Sequence, residues 1–474
     1  MATFDITNTF IYRWRYYVGY SLIALALIAS LVFAGLYVPG GISSQEMSSV
    51  IQSNTASVLN PTTANVIHLP YYLLQRLSIT LFGVSDFSIK LPSLFLGFFA
   101  AVGIVLLLRR WFAQNIAILA SLIVITTGQF LFIAQSGNPS ILYLFWPVWL
   151  LYLATLIANR RRPGLVFKVA FFILAALSLY TPLSIYPLIA LGTAIAIHPH
   201  LRFIVRQLSK KKLLLGLLVA LFLLIPLIRT VVSSPSIILT LLGVPTKLPN
   251  FSSNMSQLAQ QFFGFSTPGG TTLMTPVFGL GSTLLILIGL IKTIRTRITA
   301  KSYIIFLWIL LLLPFIILRP GFTTVTFLPL VLLLTTGILA LLNYWYQLFP
   351  FNPYARIAGL IPIVILVVAL VASGLDRYIY GYHYDPTIAS NFSHDLTILP
   401  KSTKYLVVAP SELAFYTVVA DHNKLLQVTT FPESSEFTAS HDAVQTGIEG
   451  SYSIQTIITS QASSNGDRFY LYKN

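Results

Sequence analysis

HLPYYLLQRLSITLFGVSDFSIKLPSLFLGFFAAVGIVLLLRRWF, residues 68 to 112, is the stretch whose reading decides the fold. Its second half holds an apolar run from Leu91 to Leu108, free of charges and closed by Arg109 and Arg110. A run of that length crosses about 30 Å of hydrocarbon, and it does so as a helix because lipid offers the backbone no hydrogen-bonding partners. Its first half begins with Pro70, which suits a helix start, and carries apolar residues at helical spacing with Arg76 about two turns on. That half predicts a helix lying on the membrane face, leading into the span.

Working outward, the same pattern recurs. Apolar runs at 17–38, 91–108, 115–134, 140–158, 165–181, 183–198, 213–232, 273–291, 302–318, 322–342 and 357–375 give about eleven spans. The fifth and sixth are short and separated only by Thr181 and Pro182, so one broken helix or a re-entrant pair fits there as well. Overall the 474 residues are 56% hydrophobic and 9% charged, against roughly 25% charged in an average soluble domain. The net charge of +16 comes from residues set between apolar runs rather than from a basic patch, which argues against nucleic acid as a partner. The absence of cysteine excludes disulfides, thiolate metal sites and cysteine nucleophiles. The first run lacks a clear small-residue cleavage site and reads as a retained span.

Charge distribution sets the expected orientation. With the N-terminus inside, the inside loops carry Arg13, Arg15, Arg109, Arg110, Arg160 to Arg162, Arg202 through Lys212, Lys292 through Lys301, and Arg356, seventeen Lys or Arg in all. The outside loops hold Arg76, Lys90, Lys247 and Arg319, with Arg229 near a boundary. The positive-inside bias therefore predicts a cell-membrane protein with a cytoplasmic N-terminus and an external C-terminus. Residues 1–375 form the membrane domain, with long external loops at 39–90 and 233–272, and residues 376–474 form a separate external domain. In that tail YLVVAP, KLLQVTTF, SIQTIITS and RFYLYKN read as strands and SELAFYTVVAD as a helix, which predicts a small α/β fold. Tyr378, Tyr380, Tyr382 and Tyr384, just after the last span, read as an interfacial aromatic belt.

Few residues are placed to do chemistry. Glu46 is the first acid after span one; it can act as a general base on an acceptor hydroxyl, or be a solvated loop charge. Lys90 and Arg319 end spans on the outside, where a cation can neutralise a lipid phosphate or merely anchor by snorkelling. His68 with Arg76 can bind a phosphate or cap and pack the loop. The histidines at 198, 200, 383, 394, 422 and 441 and the aspartates at 385, 395, 421 and 442 show no metal-ligand spacing, so no metal site and no cofactor are expected. No Gly-rich phosphate loop is present, which disfavours a nucleotide-driven pump.

The order His68, Pro70, Phe82-Gly83, Lys90-Leu91-Pro92-Ser93 and Gly97 resembles the signature of the lipid-phosphate-sugar-dependent membrane glycosyltransferases of the C-type fold, a group with the protein O-mannosyltransferases and the aminoarabinose transferases of lipid A. RPGFTTVTFLPLVLLL, from Arg319, is similar to that family's basic-aromatic-Pro segment, and the α/β tail looks like that of many bacterial members. The resemblance implies an α-helical polytopic fold, a polyprenyl-phosphate-linked sugar as donor, and an acid in the first external loop that activates the acceptor. Here the family's Asp-Glu pair reads Gln45-Glu46, leaving Glu46 as the matched catalytic acid with Gln45 beside the substrate. The junction of spans three and four, where a second acid is expected, reads AQSGNPS, Ala134 to Ser140. Lys90 stands for an Arg.

The expected activity is sugar transfer with inversion, on the outer face, from a polyprenyl-phosphate donor to an unidentified hydroxyl or amine. Glu46 would deprotonate the acceptor, and Lys90 and Arg319, with His68 and Arg76, would hold the phosphate. A flippase for lipid-linked sugars would use the same cations but needs a polar path that the spans lack. A non-catalytic relative that binds lipid-linked sugar would account for the missing acids.

Overall fold

The structure, a computed structural model, describes residues 10–36, 41–159, 164–245, 249–265, 276–296, 299–348, 353–380, 394–400, 402–423, 426–448, 452–459 and 468–473. Lys247, Arg160 to Arg162, Tyr382, His383, Tyr384 and Asp385 lie outside these. Helices α1 (Phe10–Leu36), α2 (Ser44–Thr55), α3 (Leu69–Phe82), α4 (Asp86–Trp111), α5 (Gln114–Ile125) and α6 (Gly128–Gln135) form the first third. They are followed by α7 (Leu142–Asn159), α8 (Leu165–Ser178), α9 (Ile185–Ile197), α10 (Pro199–Arg206), α11 (Lys210–Ser233) and α12 (Ser236–Leu242). The rest are α13 (Phe251–Phe263), α14 (Leu280–Arg295), α15 (Ala300–Leu318), α16 (Phe327–Leu348), α17 (Pro353–Ala358) and α18 (Leu360–Tyr378).

Over the described residues each of the eleven apolar runs overlaps one of these helices or a bent pair. By length and composition, six described helices can cross a membrane, or up to eight if each bent pair is one span. The third run bends by 59° between α5 and α6, where Thr126 and Thr127 turn their hydroxyls back onto carbonyls one turn earlier. α9 and α10 meet at 97° because Pro199 follows His198, so the basic, amphipathic α10 turns away from the α9 axis. The fifth and sixth runs are two helices, α8 and α9; the chain reverses between them through Leu183, whose φ of 60° lies in the left-handed region and whose N–H is held by Leu241 O.

Loops expected on one side do meet. The His68 N–H donates to Tyr180 O at 2.8 Å, and Arg229 reaches Leu59 O at 3.1 Å. At the other end of the bundle the Lys301 ammonium bonds Trp111 O and lies 5.3 Å from the Phe112 ring. The alternation of the spans is therefore internally consistent.

The C-terminal sheet domain has five strands, β1 (Tyr405–Val407), β2 (Gln427–Thr429), β3 (Glu436–Ser440), β4 (Ser453–Thr459) and β5 (Arg468–Lys473), in the order β2-β1-β3-β5-β4. β1 pairs in parallel with β2 and β3, and β5 runs antiparallel to β3 and β4. The sequence reading identifies four of these strands and misses β3, at the centre. EFTAS has one large apolar residue, Phe437, and lies among serines and charges; its strand state comes from two neighbours, β1 and β5, that bury it.

The helix Leu413–His422 packs its buried Phe415, Tyr416 and Val419 with Ile42, Met47 and Val50 of the α2 region and Ile79 and Ile89 of α3 and α4 in one apolar cluster. A backbone bridge between Ile42 and His394 stitches the same junction. Tyr378 does not join an aromatic belt. It is 2% exposed and donates its hydroxyl to Gln135 Oε1, because the last turn of α18 enters the core rather than the interface.

Candidate active site

A cavity of about 820 Å³ opens at the end of the bundle that carries α2 and α3. Five segments wall it, one of them Pro249 and Asn254 at α13. The first is the N-terminal face of α2, where Ser44, Gln45, Ser48 and Ser49 recur at helical spacing. His68 and Tyr72, at the start of α3, form the second, and Asn138, Pro139, Ser140 and Tyr143, between α6 and α7, the third. The last is the 3₁₀ turn Pro320–Thr326 with Arg319 before it.

Glu46 lies beneath this cavity, not in it. It is fully buried, as N3 of α2 in a capping box with Ser43. Its Oε2 accepts from Ser43 N at 2.8 Å and Ser43 Oγ at 3.0 Å, while Oε1 accepts from the Gly137 N–H. Lys90 Nζ lies 3.8 Å from Oε1 and donates to Gly41 O at 3.0 Å, so the ammonium faces the carboxylate and not the cavity. Gln75 completes the layer, accepting from Ser49 Oγ at 2.7 Å and donating to Ile89 O and Gly137 O. Gly137 is required there: a Cβ would stand 2.9 Å from Ile89 Cγ2 and 3.1 Å from Glu46 Oε1. The solvated-charge reading of Glu46 and the lipid-anchor reading of Lys90 both give way to a buried ion pair.

On the cavity side stand amides. Gln45 is exposed, and its Oε1 accepts from Asn138 Nδ2 at 3.4 Å. These are the two places, the position before Glu46 and the junction of the third and fourth runs, where the family resemblance leads one to expect acids. No carboxylate lines the cavity among the described residues.

His68 and Arg319 do come together on the cavity wall. His68 caps α3 with φ 63° and ψ 20°, a left-handed conformation uncommon for a non-glycine residue, held by Tyr180 O and the following Pro70. Its ring packs edge-on to Tyr143 at 5.9 Å and Tyr72 at 6.4 Å, and its Nδ1 has no hydrogen-bond partner among the described residues. Burial pushes its pKa down to about 3, so the imidazole is neutral. The Arg319 guanidinium sits 5.8 Å from the Phe322 ring and forms no salt bridge among the described residues. Arg76 is exposed and bonds Ala56 O; it holds the end of α2 and does not reach the cavity.

Asn254 went unrecognised in the sequence. It lies on α13, within the long external loop expected at 233–272, and donates to Ile317 O and Leu318 O at 2.9 and 3.0 Å, beside Arg319. Tyr72, Tyr143 and Asn138 were also missed. The one available signal was an asparagine flanked by Gly and Pro between two apolar runs, as at Gly137-Asn138-Pro139. Together the walls offer one unpaired cation, several neutral donors and acceptors, and three aromatic faces, a set suited to an anionic group carrying hydroxyls.

Comparison with known proteins agrees with this reading of the fold. Residues 69–229 match the family model described as dolichyl-phosphate-mannose-protein mannosyltransferase. The chain is similar in structure to ArnT from Cupriavidus metallidurans in the apo state, with a TM-score of 0.50, 10% identity, and coverage of 96% of this chain and 98% of that one. It is also similar to the archaeal oligosaccharyltransferase AglB from Archaeoglobus fulgidus, solved with an inhibitory peptide and a dolichol-phosphate, with a TM-score of 0.51, 13% identity, and coverage of 86% and 64%. No curated protein sequence matches the chain. The resemblance drawn from His68–Phe112 thus holds at the level of the fold: this is a multi-pass helical membrane protein with the fold of ArnT and AglB and a small C-terminal sheet domain.

Proposed function

We propose that the chain transfers a sugar from a polyprenyl-phosphate donor to a hydroxyl or amine acceptor, in the cavity between α2, α3 and the Pro320–Thr326 turn, on the outer face of the membrane. The observation that carries this is Arg319, a cation on the cavity wall with no salt bridge among the described residues. The seventeen Lys and Arg of the opposite loops favour a cytoplasmic N-terminus, which puts the cavity and the sheet domain outside. The family model's donor and the dolichol-phosphate of AglB point to the same ligand class.

In this reading Arg319 holds the donor phosphate and stabilises the charge that grows on it as the bond between the sugar's anomeric carbon and the phosphate oxygen breaks. Glycosyl transfer passes through an oxocarbenium-like state, in which bond breaking runs ahead of nucleophile deprotonation, so a weak base suffices. The acceptor attacks the anomeric carbon and gives its proton to neutral His68, whose basicity rises beside the phosphate dianion formed. Gln45 and Asn138 bind sugar or acceptor hydroxyls. Glu46, with Lys90, positions α2 so that Gln45 faces the cavity. The products are the glycosylated acceptor and polyprenyl phosphate.

The amide pair Gln45–Asn138 also favours a second reading, a protein that binds lipid-linked sugar without transferring it. A photoactivatable polyprenyl-phosphate sugar, offered to the reconstituted protein, tests both. Labelling of cavity residues that Arg319→Ala abolishes, together with release of polyprenyl phosphate, is the expected result. Labelling without release supports the binder, and labelling indifferent to Arg319 sinks both.

A further inference from the structure

The C-terminal sheet domain holds a cluster that the transfer reaction does not use. His394, Glu412 and Asp442 each present one ligand-type atom, and the three atoms lie within 4.8 Å of one another. We propose that they form a site for a divalent transition metal of the zinc type.

Fold topology supplies the first argument. The chain leaves β1 to form β2 on one side, then returns to place β3 on the other side of β1, so the carboxyl ends of β1 and β3 flank a topological switch point. In open parallel sheets ligands bind at that crevice. Glu412 follows β1, Asp442 follows β3, and each stands at the start of a helix, Leu413–His422 and His441–Thr446. His394 arrives from the segment that joins the sheet to the membrane helices.

Geometry supplies the second. His394 Nε2 is 2.9 Å from Glu412 Oε1 and 4.0 Å from Asp442 Oδ2. Ligands at about 2.0–2.1 Å around a tetrahedral zinc stand roughly 3.3 Å apart, so side-chain adjustments of at most about 1.5 Å admit the ion. Glu412 is 3% exposed and already oriented: its Oε2 accepts from Ser440 Oγ at 2.6 Å and Ala409 N at 3.3 Å, which leaves Oε1 turned to the site. Asp442 is 46% exposed, so the remaining coordination positions face solvent.

Charge supplies the third. Two carboxylates face one histidine, and neither carboxylate has a Lys or Arg salt-bridge partner among the described residues. One imidazole with two carboxylates matches zinc better than magnesium, which prefers oxygen ligands and retained water. His394 is also backbone-bonded to Ile42, next to the Ser43 cap of α2, so the bound ion would fasten the sheet domain to the helix that presents Gln45.

The test uses the full-length protein in detergent, stripped with a chelator and titrated with Zn²⁺ alone, with bound metal counted by mass spectrometry. One zinc per chain is expected, outcompeting Mg²⁺. Asp442→Asn keeps the His394–Glu412 hydrogen bond, so the variant folds, yet it should bind zinc about 100-fold more weakly, the upper end of what even outer-sphere changes cost. Substoichiometric uptake by the wild type, preference for Mg²⁺, or unchanged affinity in Asp442→Asn overturns the site.

Discussion

Gln45 and Glu46 are consecutive in α2, yet one borders an open cavity and the other is closed into the layer below it with Lys90, Gly137 and Gln75. Of the charged residues that a sequence reading assigns to chemistry, Glu46 and Lys90 face each other below the cavity and Arg319 lines it, and the other residues that line it are neutral. Helical geometry explains the reversal, because adjacent residues point about 100° apart. A buried ion pair also costs desolvation, and it persists only where hydrogen bonds satisfy both partners, as Ser43, Gly137 and Gly41 do.

The contrast between the two layers breaks most readily at Arg319. Arg319→Ala should lower transfer from a polyprenyl-phosphate sugar by about 10²–10³-fold, as loss of one charge-stabilising donor does, with little change in melting temperature. A comparable loss of stability in that variant would move Arg319 into the structural layer. Lys90→Met leaves the Glu46 carboxylate buried and unpaired, and should destabilise by about 3–5 kcal/mol in denaturant unfolding. Adding Glu46→Gln should recover much of that loss; a strictly additive double variant would mean that the two do not interact.

His68 sharpens the picture through pH. Burial lowers it from 6.5 to about 3, so between those values the unfolded chain holds a proton that the folded chain lacks. Stability should therefore be undiminished above pH 6.5 and fall as pH drops towards 3, by at most about 1.4 kcal/mol per pH unit from this group. His68→Gln should flatten that dependence in unfolding measured across the range. Gly137→Ala forces its new methyl against Ile89 and the Glu46 carboxylate, and should cost about 1–3 kcal/mol in the same measurement.

Gln45→Asp carries the smallest expected effect and the most specific one. It places a carboxylate on the cavity wall, where a positioned base contributes typically ~10²–10⁴-fold, so a gain in turnover of at least about tenfold is expected. A fall in turnover would show that the Gln45–Asn138 amide contact itself is needed.

The membrane fold was legible because its signal is local. Leu91 to Leu108 has to be a helix in lipid whatever surrounds it, and the same physics fixed the other runs. Bends hid within them: Thr126 and Thr127 interrupt the third run without changing its hydropathy. β3 was invisible because EFTAS gains its strand state from β1 and β5, which lie on either side of it in space but not in sequence.

By itself the sequence determined the helical membrane fold, the presence of a sheet domain, and a segment, His68–Phe112, that resembles proteins of the same fold. Only the tertiary structure decided which residues face the cavity. Hydropathy is a property of segments, whereas the fate of Glu46 and Lys90 turned on partners far along the chain, with Lys90 44 and Gly137 91 positions from Glu46, and that of Arg319 on the open space left beside Pro320. A charge's role follows from what faces it, and that is set by packing.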